Sequence, residues 1–240
     1  MDINGKTIGE IAVSVPSAIR VLEHWKIDYC CHGNRSIPEA CASAGVTVEE
    51  LLEAIGDPRD ADAARDWSNE SLTTLQRFII DTHHVYTRET LETVKQLANK
   101  VASRHGANHP EMNIVRELVD HLYDDLFPHM MKEEQVLFPY VEQLESNPDG
   151  PPPFFGSVKN PIRMMMMEHE AVADILAALQ TATHHYELPP DACISFRALY
   201  EQLSALEADL HQHIHLENNV LFPRADALES GVCDGVTCVY

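Results

Sequence analysis

Two stretches of this chain, 129–139 and 213–223, share the pattern H-x-x-x-E-x-x-V-L-F-P. On a helix, residues four apart stand one above the other on one face. His129 with Glu133, and His213 with Glu217, would each present an imidazole and a carboxylate in one direction. A further histidine precedes each stretch at matched distance: His84 lies 45 residues before His129, and His169 lies 44 before His213. Four imidazoles and two carboxylates without a thiolate suit iron or manganese, with zinc as a further option. Two carboxylates among six ligands suit two metal ions bridged by those carboxylates inside a helical bundle. A single H-x-x-x-E reads as a solvated pair on a helix surface. Two copies at matched spacing, each with a matched upstream histidine on an apolar stripe, read as a metal site.

The elements that must carry these residues are legible from apolar spacing. Ser68 or Asn69 can cap a helix running to about Arg104, with Ile80, His84, Thr87, Leu91, Val94, Ala98 and Val101 on one face. A second helix is expected from Pro110 to about Leu144, with Leu118, Leu122, His129, Glu133, Val136 and Tyr140 inward. Pro128 falls inside it and should kink it. A proline-rich loop, 147–161, leads to a third helix whose stripe is Ile162, Met165, His169, Val172, Leu176 and Leu179. The neighbouring methionines 164–167 read as packing, since thioether does not match a nitrogen and oxygen site. After a turn at 184–191, the fourth helix has the cleanest pattern: Phe196, Leu199, Leu203, Leu206, Leu210, His213, Glu217 and Val220. A carboxylate in that apolar seam would cost several kcal/mol without a cation. Four helices joined this way predict an all-α, up-down-up-down four-helix bundle at 69–226.

Before the bundle, residues 1–56 read as a small helical domain. Thr7 with Glu10, and Thr47 with Glu50, fit capping boxes, and Ser36 starts a further short helix that Gly45 can end. The segment 57–68 is polar and acidic and reads as a linker, and 227–240 as an irregular tail. The net charge of −21 argues against nucleic acid and anionic membranes, which select cationic surfaces. No apolar run approaches the ~20 residues that span a bilayer, and no signal peptide is visible, so the cytoplasm is expected. Six cysteines in 240 residues are too few for a disulfide scaffold.

Three segments in this order, DYCCHG at 28–33, the 129–139 stretch and LENNVLFPRA at 216–225, resemble the hemerythrin-like di-iron bundle and, more closely, the RIC family (repair of iron centres). The likeness covers nearly the whole chain. It implies two non-haem irons per chain, held by His84, His129, Glu133, His169, His213 and Glu217, the six that spacing also selects. Glu133 and Glu217 would bridge the irons, with an oxo or hydroxo group between them. The resemblance further implies repair of iron–sulfur clusters damaged by nitric oxide or peroxide, and nitric oxide chemistry at a ferrous pair. Damaged iron–sulfur proteins or their assembly machinery would be the partners, and a homodimer is compatible. Oxygen-carrying hemerythrins use five histidines. With four, one more coordination position is open, which favours reactivity or metal release over oxygen storage. The rival expectation is a non-catalytic sensor or binder of oxygen or nitric oxide.

Other residues carry lesser expectations. Glu168, His105 and Asp125 are candidates for supporting the ligands or for an iron exit route. Cys30 and Cys31 form a vicinal pair in a loop, and adjacent thiols poorly grip one tetrahedral metal. They read as redox or client-contact thiols. Cys41 and Cys193 read as core, and His83, His121, His211 and His215 as solvated or supporting. Cys233 and Cys238 read as part of a tail without a role.

Overall fold

A computed structural model describes residues 5–56, 66–148 and 150–231. Four short helices come first: α1 (Ile8–Ser14), α2 (Ala18–His24), α3 (Ile37–Ala44) and α4 (Val48–Ile55). Thr7 with Glu10 and Thr47 with Glu50 form the expected reciprocal caps, and Ser36 with Glu39 forms a third. These satisfy donors that a helix start leaves unpaired. Gly45 ends α3 at φ 71°, where a Cβ would be strained. The four helices close on their own core, which includes Ile8, Ile11, Leu22, Ile37, Cys41 and Leu51.

Four long rods follow. Rod α5 (72–105) consists of Leu72–Phe78, a π-helical turn Ile79–His84, and Val85–His105. Rod α6 (111–146) consists of Glu111–Lys132, a π turn Glu133–Leu137, and Phe138–Ser146. Rod α7 is the uninterrupted Lys159–Ala182. Rod α8 (194–230) consists of Ile194–His215, a π turn Leu216–Leu221, and Phe222–Ser230. Rod α5 packs on α6 and α8, and α6 packs on α7, giving the expected all-α bundle. Its seam holds Leu91, Val94, Leu122, Leu126, Leu176, Leu203 and Leu210, all buried.

The π turns explain where the helical periodicity misplaced the core. A π turn closes at i+5 rather than i+4, so it inserts one residue. Counting back from His84, α geometry puts Ile80 inward; the structure buries Ile79, five residues back, and half-exposes Ile80. Counting on from Glu133, it puts Val136 and Tyr140 inward; Leu137 and Val141 are buried instead. Pro139 and Pro223 each sit in the first turn of the α segment after a π turn. There the missing N–H and the ring are tolerated, whereas either would clash in an unbroken α-helix. Pro128, by contrast, lies within the α-helical segment Glu111–Lys132, and the departure from α geometry begins at Glu133.

Several boundaries differ from expectation. The cap of α5 is Ser71, not Ser68 or Asn69. Its Oγ accepts from the Thr74 N–H at 3.0 Å, and Glu145 of α6 accepts from the N–H groups of Leu72 (2.6 Å) and Thr73 (3.0 Å). Trp67, expected in the linker, is buried against Phe78, with ring centroids 4.5 Å apart. Residues 57–65 of that linker lie outside the described residues, as do Cys233 and Cys238. The last helix runs to Ser230, four residues into the expected tail. Glu229 holds it there by accepting from Ser157, Tyr140 and the Val158 N–H. Of the four consecutive methionines only Met165 is buried; Met164, Met166 and Met167 face outward. Cys193 is not in a helix core but half-buried at the start of α8. Among the described residues no helix is long and apolar enough to cross a membrane.

Candidate metal centre

The six residues selected by spacing meet at one place in the bundle. His84, Glu133 and Glu217 belong to the π turns of α5, α6 and α8; His129 and His213 stand one turn before the last two; His169 comes from the straight rod α7. All six are buried, and both glutamates are fully so. Their donor atoms form two pockets, His84–His213–Glu133–Glu217 and His129–His169–Glu133–Glu217, with every donor within 4.8 Å of the others in its pocket.

The glutamates are shared between the pockets. Glu133 turns Oε2 towards His84 Nε2 (3.4 Å) and Oε1 towards His129 Nε2 (3.3 Å). Glu217 turns Oε1 towards His213 Nε2 (3.2 Å) and Oε2 towards His169 Nε2 (3.2 Å). Each pocket also brings two imidazole nitrogens together: His84 Nε2 lies 3.1 Å from His213 Nε2, and His129 Nε2 lies 3.1 Å from His169 Nε2. That is the spacing of donors around one ion with bonds of about 2.1 Å. Both Glu133 oxygens and Glu217 Oε2 are buried without a hydrogen-bond donor. Dry, unpaired carboxylate oxygens cost several kcal/mol unless a cation meets them. The residues therefore fit a pair of cations.

The electrostatics ask for positive charge. Burial disfavours an imidazolium at His84, yet Glu133, Glu134 and Glu217 outweigh it and push its pKa up to about 11. Burial likewise opposes charge at His129, but Glu133 and Glu168 raise it to about 10. Burial and Glu217 both disfavour a charged Glu133, but His129 and His84 bring its pKa down to about 2. Glu217 is held well below the usual carboxylate range, against burial, chiefly by His213 and His169. For His213 burial wins and the pKa falls. Metal ions must displace the protons from such a site to enter it.

The outer nitrogens of three imidazoles are also engaged. His84 donates from Nδ1 to Glu134 Oε1 (2.7 Å), which Arg88 also holds (2.9 Å). His129 donates to Glu168 Oε2 (2.8 Å), itself paired with Lys132. His169 donates to Asn218 Oδ1 (2.9 Å). Such acceptors fix ring orientation and raise ligand basicity. Glu168 therefore serves His129 across the bundle rather than its sequence neighbour His169. Glu134 and Asn218 carry no signal of their own in the sequence, although each directly follows a shared glutamate, where a side chain can reach the neighbouring rod.

The structure does not bring the remaining candidates to the centre. His105 ends α5, 21 residues beyond His84 and so about 30 Å along the helix. There it packs against Phe196 at 5.7 Å. Asp125 is exposed on α6, and His121 is exposed as well. His83 and His215 are buried beside the site. His83 bonds Asp209 at 2.9 Å, and His215 accepts from Asn219 at 3.0 Å. The thiol loop lies on the site's cover. Cys31 Sγ is 3.7 Å from the His169 carbonyl oxygen, and Cys30 and Cys31 sulfurs are 3.8 Å apart. Asn218 joins loop and centre, giving its Nδ2–H to the Cys30 carbonyl (3.3 Å) while accepting from His169.

A bundle with two shared carboxylates between imidazole pairs defines a hemerythrin-like cation-binding protein. The family model described as Hemerythrin HHE cation binding domain matches residues 77–225, and ScdA_N, a domain of unknown function, matches residues 4–58. The chain is 32% identical to "Probable iron-sulfur cluster repair protein" of Haemophilus influenzae over 228 residues, 93% of this chain and 98% of that one. It is 31% identical to "Iron-sulfur cluster repair protein YtfE" of Escherichia coli, and of Citrobacter koseri, over 229 residues, 95% of this chain and all of each relative. The chain belongs to the RIC family of iron–sulfur cluster repair proteins that its motifs resemble.

Proposed function

We propose that this chain is a cytoplasmic di-iron protein that restores iron–sulfur clusters damaged by nitrosative or oxidative stress, by donating iron, by reducing nitric oxide, or by both. One observation carries the reading: Glu133 and Glu217 each give one oxygen to each of two imidazole pairs in a dry core. Full-length relatives named as cluster repair proteins support the biological role. Two ferrous ions held there would supply both electrons for a small oxidant and iron for a client. The chain's own side chains do the rest. Glu134, Glu168 and Asn218 aim three imidazoles, and buried Phe138 and Phe222, stacked on His84 and His169, help keep the site dry. Half-buried Cys31, whose sulfur lies against the His169 carbonyl, would meet a client protein or a reductant, with buried Cys30 beside it.

Mössbauer spectroscopy of the anaerobically loaded protein, before and after nitric oxide with an apo-cluster acceptor present, tests this. Two ferrous ions per chain are expected, declining as the acceptor's cluster forms or as nitric oxide is consumed over several turnovers. A loaded chain holding fewer than two irons, or two that respond to neither acceptor nor nitric oxide, would end the reading.

A further inference from the structure

The internal repeat allows the two halves of the site to be compared position by position. The residue after each bridging glutamate supports the first histidine of its own unit: Glu134 supports His84, and Asn218 supports His169. The residue before His169, Glu168, supports His129 of the other unit. By the same relation the residue before His84 should support His213. That residue is His83, and it is engaged elsewhere. Its Nδ1 bonds Asp209 Oδ1 at 2.9 Å, and its ring stacks on that of His213 with centroids 5.7 Å apart and planes 10° apart. His213 is buried, and its Nδ1 has no hydrogen-bond partner. The His129–His169 pocket thus has both imidazoles supported, and the His84–His213 pocket only one. Loss of such a partner costs a metal site about 10- to 100-fold in affinity.

A second observation lies on the same side. His83 forms part of the wall of a cavity of about 270 Å³ between α1 and the bundle. Most of its wall is apolar, and the polar side chains Ser68, Thr82, Asp209, Gln212 and His215 join His83 in lining it. Asp209 Oδ2 is buried there without a partner. We propose that the two ions are held unequally: the ion in the His84–His213 pocket is the one this protein releases, and it departs past His83 and Asp209 into this cavity. The inference rests on the di-iron reading above. The step is a ligand exchange in which no electron moves. Bonds to His84, His213 and one oxygen each of Glu133 and Glu217 give way, and bonds to Asp209 and water replace them around a cation of unchanged charge.

The test uses the full chain, loaded anaerobically with two ferrous ions and challenged with a chromogenic ferrous chelator. Release in two phases of equal amplitude is expected. His83→Glu copies the Glu168 arrangement and should slow the fast phase about 10- to 100-fold while sparing the slow one. Glu168→Gln should quicken the slow phase and spare the fast one. Asp209→Asn should slow the fast phase severalfold at unchanged iron content. A single phase carrying both ions, or Glu168→Gln acting on the fast phase, overturns the proposal, and these readouts decide it even where His83→Glu fails to fold. A His83→Glu protein that folds but alters the slow phase, or neither, overturns it too. A chain loading fewer than two ions would instead sink the di-iron reading itself.

Discussion

At the scale of single residues, sharing distinguishes the two glutamates from the four histidines. Glu217 supplies a donor to both pockets, whereas His169 supplies one. Glu217→Ala should therefore bring metal content well below one ion per chain. His169→Ala should leave close to one, read by elemental analysis after loading and desalting. Loss of ions that bind only the folded state should also lower the melting temperature, more for Glu217→Ala. His215 gives a pH effect with a definite sign. Burial, the dominant cause, lowers its pKa from 6.5 to about 4, so the unfolded chain takes up the proton more readily. The contribution is complete above pH 6.5 and is lost as pH falls towards 4, up to about 3 kcal/mol in all. His215→Gln should flatten the fall in denaturant midpoint between pH 6.5 and 4 relative to the parent chain. Equal slopes would contradict the neutral, buried assignment. The six clustered residues were legible because chemistry at a repeated spacing is written locally. His215 was not, because its burial comes from Tyr29, 186 residues earlier, packing on its ring at 5.2 Å.

At the scale of elements, the helices were legible and their interruptions were not. Apolar periodicity placed every rod, because it averages over many turns. A π turn changes the register by a single residue, which periodicity reads as noise. The prolines at 139 and 223 were the available signal, but Ile79–His84 has no such proline, so that turn had none. These insertions matter because one residue rotates an α-helix by about 100°. Deleting exposed Gln135 removes the residue that its π turn inserts, so α6 would close as continuous α-helix with Pro139 inside it, where the ring clashes one turn back. The expected result is loss of both cooperative melting and metal content, followed by calorimetry and elemental analysis. Glu145 provides a milder test. It caps the start of α5 from α6, and its pKa is lowered, against burial, by Thr73 and the backbone of Leu72 and Thr73. Glu145→Ala should cost about 1 kcal/mol, a fall of about 2–4 °C, with two ions still bound.

At the scale of the whole molecule, the question is how a small helical module is held over a metal centre. The sequence showed both parts but not their contact, since nothing local in either announces the other. The contact runs through α8. Asn219 follows Asn218 in the π turn and gives its Nδ2–H to the Tyr29 carbonyl at 3.0 Å. Gly9 and Gly33 receive its side chain, and a Cβ on Gly33 would lie 3.0 Å from Asn219 Oδ1 and 2.6 Å from the Tyr29 carbonyl oxygen. The second of these neighbours is backbone, so a methyl group at Gly33 must displace the loop. The same loop holds Cys30, whose thiol pKa is raised by its Cys31 neighbour, by burial and by Asp28, and which is therefore a poor nucleophile while docked. Gly33→Ala should loosen the thiol loop without touching a ligand. Alkylation of Cys30 should quicken severalfold in mass-spectrometric time courses, while the bundle keeps its two ions. Asn219→Ala, which removes the donor and leaves the glycine in place, should act in the same direction. Unchanged alkylation in both would mean that the loop is held by its own Asp28 hydrogen bonds rather than by the bundle. Loss of iron in either would mean that the module is part of the metal site's structure and not a separate cover upon it.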